Sequence, residues 1–273
     1  MSRIIAVANQ KGGVAKTTTA INLAASLAVA DTRVLLVDVD PQANLTSGVG
    51  RKNESAAAGT VYEALTAPTP LTDLHPYILK TEIERLDVVP ASRHLTGAEV
   101  ELVTLPRRDE RLRQLLASVR DDYDFVFIDC PPSLGLLTLN ALVAADSVLI
   151  PLHGEYFALE GLAELVGTIR RVRAALNPSL DIEGVLLTMF DDRTNLGQQV
   201  ARDLRAFFKE KVFETVIPRN VRLGEAPSHG KPVILYDVKS KGAEAYLALA
   251  REFLDRRRAA AAGASSADRK STR

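Results

Sequence analysis

Short, largely apolar runs recur along the chain at residues 4–9, 34–40, 86–90, 125–129, 147–152, 184–190 and 216–218. Runs without strict alternation mark strands buried on both faces of a parallel sheet. Between them apolar residues return at helical spacing, over 20–27, 61–65, 95–105, 108–120, 159–176, 197–208 and 242–258. Strands alternating with helices predict an α/β fold: a doubly wound, mostly parallel sheet flanked by helices. Residues 41–48 read as a loop or short turn, and 51–72 turn to Ala, Thr, Pro and Gly. No repeat or linker divides the chain, so residues 1–258 are expected to form a single domain. The small polar residues of 259–273 read as a disordered tail.

Composition narrows the class. Apolar residues make up 47% and charged residues 25%, the balance of an ordinary globular protein. Lys+Arg and Asp+Glu stand at 34 each, so any attraction to nucleic acid must come from a local patch. The single cysteine, Cys130, excludes a disulfide or a multi-cysteine metal cage within one chain. The start, Met1-Ser2-Arg3 and then an apolar run, lacks a signal-peptide core. No apolar run approaches the roughly 20 residues that span a bilayer. A cytoplasmic location is expected.

The first run leads into Gln10-Lys11-Gly12-Gly13-Val14-Ala15-Lys16-Thr17-Thr18-Thr19 and then a helix. Strand, glycine loop and helix N-terminus is the arrangement that aims backbone N–H groups at a phosphate. The general pattern Gly-x4-Gly-Lys-Ser/Thr is only partly met, with Gln10 and Ala15 at its two glycines. Ligands of such sheets bind at the C-terminal strand ends. There the loop is joined by Asp40 and Asp129, each closing an apolar run. In that setting Lys16 reaches the β- and γ-phosphates and the Thr17 hydroxyl ligates Mg2+. Asp129 holds the same ion through a water. The plainer alternative is a tight Gly-Gly turn beside solvated strand-end acids, which explains each feature singly but not their convergence.

Residues 11–18 resemble the deviant phosphate loop of the ParA/Soj family of partition ATPases. The resemblance extends from Ile4 to about Leu254 through Asp38-Val39-Asp40-Pro41-Gln42-Ala43-Asn44, Asp129-Cys130-Pro131-Pro132-Ser133, the block at residues 155–161, and Val216-Ile217-Pro218-Arg219-Asn220-Val221-Arg222. Nine residues precede Gln10, which matches the short chromosomal type. The resemblance implies ATP and Mg2+ as cofactors and a homodimer that sandwiches two nucleotides. Lys11 would cross to the partner's phosphates, and Asp40 would orient or deprotonate the attacking water, the alternative for Asp40 being a second-shell magnesium acid. It implies nucleotide contacts from Lys11, Gly12, Gly13, Val14, Ala15, Lys16, Thr17 and Thr18, with Met189, Pro218 and Asn220 near the adenine. It also implies a slow ATPase stimulated by a ParB-like centromere-binding partner. Ala15 departs from the glycine most common in the family: if its φ is positive, nucleotide affinity should fall, and if negative the methyl is harmless.

Non-specific double-stranded DNA is the expected macromolecular ligand, needing several cations on one surface. Candidates cluster late: Arg193, Lys209, Lys211, Arg219, Arg222, Lys231, Lys239 and Lys241. Arg193 and Arg222 match positions that the resemblance ties to DNA. A MinD-like membrane switch needs a C-terminal amphipathic helix with apolar anchors, and the residues after Leu254 carry no such stripe. A metabolic enzyme on the same scaffold is the third reading, against which the 218–222 block stands. The expectation is therefore a nucleoid-associated protein without a membrane partner.

Overall fold

The computed structural model describes residues 2–154, 158–191 and 193–271, with side chains left out for 158–160 and 260–271. Seven strands form one sheet: β1 (Arg3–Val7), β2 (Val34–Asp38), β3 (Leu79–Lys80), β4 (Leu86–Val89), β5 (Phe125–Asp129), β6 (Ser147–His153) and β7 (Asp181–Thr188). Their order is β3-β4-β2-β5-β1-β6-β7, parallel throughout except for the antiparallel β3 on one edge. Around it lie α1 (Lys16–Val29), α2 (Asn44–Gly48), α3 (Val61–Thr66), α4 (Leu95–Glu101), α5 (Arg111–Ala117), α6 (Leu136–Ala144), α7 (Ala158–Ala175), α8 (Asn195–Phe208), α9 (Val221–Glu225), α10 (Val233–Tyr236) and α11 (Lys241–Ser271).

The period-two geometry of the strands splits the core into two layers. Ile4, Ala6, Leu35, Val37, Val126 and Ile128 face the layer that holds α3 to α8. Ile5, Val7, Val34, Leu36, Phe125 and Phe127 face α1 and α11, where Leu223, Ala226 and Val233 also pack. The segment 221–236 therefore sits on the same face of the sheet as the first helix.

Several elements differ from the sequence expectation, each for a physical reason. Residues 216–218 join no named strand: the Ile217 N–H donates to the Leu187 carbonyl at 2.9 Å and Phe190 bridges Pro218, but Pro218 has no N–H to continue a ladder. The helix expected over 95–105 stops at Glu101 and tightens into a 3-10 turn, and that over 108–120 shrinks to Arg111–Ala117. α6 follows no amphipathic pattern because nearly all of it is buried, and a helix apolar all round gives no periodic signal. α2 turns half of the expected loop at 41–48 into helix. α11 continues to Ser271 through an Ala-rich stretch of high helix propensity, beyond the expected end at 258. By contrast α3 begins on a full capping box, with the Thr60 N–H and hydroxyl donating to Glu63 Oε2 at 2.7 Å and 2.7 Å.

Candidate nucleotide site and basic segment

β1 sits between β5 and β6, and the chain leaves it to enter α1 at the point where the sheet winds in both directions. That is the crevice where ligands of open α/β sheets bind. Asn9 prepares the loop: its side-chain amide donates to the Pro151 carbonyl at 2.8 Å, and its Oδ1 accepts from the Lys11 N–H at 3.0 Å. Val14 is buried and its carbonyl accepts from the Thr188 hydroxyl at 3.0 Å, which pins the loop to the end of β7. Gly13 and Ala15 both take left-handed angles, φ 73° and 63°. Alternation of left- and right-handed residues turns successive N–H groups inward, the geometry of an anion nest. A side chain at Gly12 would meet nothing within 4 Å, so the loop face is open.

Ala15 is the residue before α1 and has no glycine freedom, so its left-handed angle is strained. Lys16 opens the helix. Its ammonium is largely buried and folds back toward the Lys11 carbonyl at 3.3 Å. Burial lowers its pKa, against the attraction of Asp129, Cys130 and Asp40.

Three carboxylates meet this loop. Asp38 and Asp129 are register partners on adjacent strands, and both are fully buried. Asp38 has a full set of donors: the Thr46 N–H at 2.9 Å, the Thr46 hydroxyl at 2.7 Å and the Asp40 N–H at 3.2 Å. Burial still outweighs them and lifts its pKa to about 6. Asp129 has none, since neither carboxylate oxygen finds a hydrogen-bond partner. Burial, then the neighbouring Asp38 charge, push its pKa well above the usual carboxylate range; the Thr17 side chain pulls the other way, Asp40 adds to the rise, and Lys16 opposes it. A buried acid with two unsatisfied oxygens next to a threonine hydroxyl and a lysine fits a hard divalent cation held with oxygen ligands. Asp40 is buried too, and its Oδ1 accepts from the Gln42 N–H at 2.9 Å in a tight turn.

At the same strand edge, Met189 (φ 47°) follows β7, and the Phe190 N–H donates to the Ile217 carbonyl at 3.0 Å, which sets Phe190 beside Pro218 in a bridge. Asn220 caps α9, its Oδ1 accepting from the Arg222 N–H at 3.1 Å. That structural duty was not legible in the motif.

The cations divide. Arg193, Arg219, Arg222, Lys231, Lys239 and Lys241 are all exposed. Arg193 grips Asp191 at 2.8 Å and 2.7 Å. That bond, aided by Arg219, holds the Asp191 carboxyl down at about 2. Arg222 pairs with Glu225 at 2.8 Å and Asp237 at 3.3 Å. Lys211 goes elsewhere: it binds Asp181 and the Ile182 carbonyl at the opposite end of β7. The first part of the 155–161 block lies outside the described residues.

Fold and site together define a phosphate-loop nucleotide-binding protein of the α/β class. A family profile described as an AAA domain matches residues 2–182. The chromosome partitioning protein ParA of Myxococcus xanthus is 60% identical over 257 residues, 94% of this chain and 89% of that protein. The sporulation initiation inhibitor protein Soj of Bacillus subtilis is 56% identical over 92% of this chain and 98% of its own length. Among solved structures, cobyrinic acid a,c-diamide synthase from Mycobacterium smegmatis, with bound ATP analogue and magnesium, superposes with a TM-score of 0.78. It is 38% identical, and the match covers 92% of this chain and 93% of the other. The chain belongs to the ParA/Soj family of chromosome-partitioning ATPases.

Proposed function

We propose that the chain binds ATP with Mg2+, forms a homodimer in that state, holds non-specific DNA through its late basic segment, and releases it on hydrolysis stimulated by a ParB-like partner. The observation that carries the site is Asp129, a buried carboxylate without a donor beside Thr17 and Lys16. Gly12 to Thr18 cradle the phosphates with N–H groups, Lys16 neutralises them, and Thr17 with Asp129 hold the metal, Asp129 through a water. When bound, Mg2+ supplies charge stabilisation to the transferring phosphoryl group.

Asp40, fixed by its turn onto Gln42 and by its N–H on Asp38, orients the attacking water. Lys11 reaches the partner's nucleotide, which makes the added positive charge conditional on assembly. Met189, Pro218 and Asn220 flank the base. Arg193, Arg219, Arg222, Lys231, Lys239 and Lys241 contact DNA phosphates. The ion pairs that now engage Arg193 and Arg222 are exposed and worth little, roughly 0–1 kcal/mol, so a phosphate can displace the carboxylates. The working location is the cytoplasm, on the nucleoid, with no membrane partner. Among the described residues no helix is long and apolar enough to cross a membrane.

The test compares DNA binding with ATP, with ADP, and with ATP in an Asp40→Ala variant. The wild type should bind DNA tightly only with ATP, and the variant should bind and fail to release. DNA affinity indifferent to nucleotide would overturn the reading, as would recruitment to liposomes in place of DNA.

A further inference from the structure

Two separate parts of the nucleotide site reach the same four residues, 230–233, in the middle of the basic segment. The first contact starts on α1. Asn22 is buried, its amide donates to the Thr18 carbonyl at 2.8 Å, and its Oδ1 accepts from the Val233 N–H at 2.7 Å. One side chain thus bonds both the first turn of α1, which follows the phosphate loop, and the start of α10. The second contact starts at Asp38, which holds the Asp40 N–H with one oxygen and Thr46 on α2 with the other. α2 lies flat on α1: a side chain at Gly48 would sit 2.5 Å from Ile21 Cδ1. Just past α2, Gly50 (φ 80°) meets Gly230 (φ 64°) backbone to backbone. A Cβ on Gly230 would lie 2.9 Å from Gly50 Cα, and one on Gly50 would lie 3.0 Å from the Gly230 carbonyl oxygen.

Neither contact is explained by core packing. Asn22 spends a buried polar side chain on two backbone groups of different elements. The glycine pair brings two backbones closer than any side chain would permit, at left-handed angles that favour glycine on both sides. Lys231 follows Gly230 directly, and its N–H closes a turn on the Ala226 carbonyl at 3.2 Å. Movement at Thr18, in the first turn of α1, or at the Asp40 turn would reach the backbone that presents the cations through these contacts.

We infer that Asn22 and the Gly50–Gly230 contact are positioning residues that couple the nucleotide site to the DNA-binding segment. The inference rests on the ATP and DNA reading above. It adds that the coupling runs inside one subunit, through residues 230–233, as well as through the doubling of the patch on dimerisation. By linkage, a relay of this kind makes DNA strengthen ATP binding by the same factor that ATP strengthens DNA binding.

The experiment uses the full chain with Mg–ATP and Mg–ADP at one salt concentration, as wild type, Gly230→Ala and Asn22→Leu. Asn22→Leu removes the acceptor for Val233 along with the donor to Thr18, so it cuts the bond between α1 and α10 with little change of volume. Dimerisation is followed by sedimentation, hydrogen exchange over residues 226–236 by mass spectrometry, and DNA Kd by anisotropy. In the wild type the ratio of DNA Kd between ADP and ATP should be on the order of tenfold or more, with ATP-dependent protection of 230–233. Both variants should still dimerise with ATP, while that protection is lost and the Kd ratio falls several-fold. Variants that dimerise and keep the wild-type ratio and protection overturn the relay. A ratio that falls only in step with lost dimerisation overturns it too, since the contacts then act through assembly. A wild type with no nucleotide response at all removes the proposed function and the relay together.

Discussion

A methyl group at a left-handed backbone position is a small, measurable strain. Ala15 holds one at φ 63°, where Val14 is buried and bonded through its carbonyl to Thr188, so the loop cannot relax around it. Relief of that strain belongs to folding first, and to nucleotide affinity only as far as the loop moves on binding. Ala15→Gly is expected to raise the unfolding free energy by about 1 kcal/mol, read from the shift of a urea midpoint at constant slope. An unchanged or lowered midpoint would show that the loop is unstrained.

Asp129 carries the opposite kind of cost. Its folded pKa is raised, so the penalty for its charge is absent below the unfolded value of about 3.8 and grows as pH climbs toward the folded one. Asp129→Asn should therefore stabilise the metal-free protein at neutral pH, with the gain vanishing in acid. The same variant should lose the thermal shift caused by Mg–ATP. A net loss at neutral pH would mean that attraction between Asp129 and the buried Lys16 outweighs the burial cost. The residue types and their order were readable because phosphate chemistry demands them. The φ of Ala15 was not, since it is set by contacts to β7 about 170 residues away in sequence.

At the scale of elements, the short helix α2 has more consequence than its five residues suggest. Its Thr46 hydroxyl donates to Asp38 at 2.7 Å and accepts from the Ala91 N–H at 2.9 Å, so one buried oxygen joins the Asp40 turn, α2 and the end of β4. Thr46→Val keeps the shape and removes that oxygen. It leaves the Ala91 N–H unpaired and the Asp38 carboxylate with one donor fewer, a loss of about 1–3 kcal/mol. Calorimetry should show this destabilisation, and ATP turnover should fall more than nucleotide binding as Asp40 loses its fixed turn. Equal binding and turnover with lowered stability would reduce Thr46 to a packing residue. The six parallel strands were legible because uninterrupted apolar runs have few other uses in a chain of this composition; β3, two residues long, was not, and the apolar run at 216–218 joins no named strand. α2 and α6 were not: the first is too short for periodicity, and the second is apolar on all sides.

Over the whole molecule, formal net charge is zero, so long-range attraction to DNA cannot come from the protein as a body. What the fold provides is segregation. Lys211 is tied to Asp181 at one end of the sheet, while Arg219, Arg222, Lys231, Lys239 and Lys241 follow the segment that packs on α1. Sequence order had grouped all of these late cations, and only the three-dimensional path of the chain separates them. A site built from few phosphate contacts has a defined salt signature, because each neutralised phosphate contributes about −0.9 to the slope of log K against log salt. Two subunits contribute two copies of each contact. Arg222→Ala should therefore flatten the ATP-state slope by roughly 2 per dimer, weaken binding alike on unrelated sequences, and leave ATP-driven dimerisation intact. The measurement is a salt titration of DNA affinity from low to physiological ionic strength, run in parallel on the wild type and the variant. A slope that does not change would take Arg222 off the DNA and leave it as the clasp between Glu225 and Asp237. A loss of dimerisation would place it at the subunit interface instead.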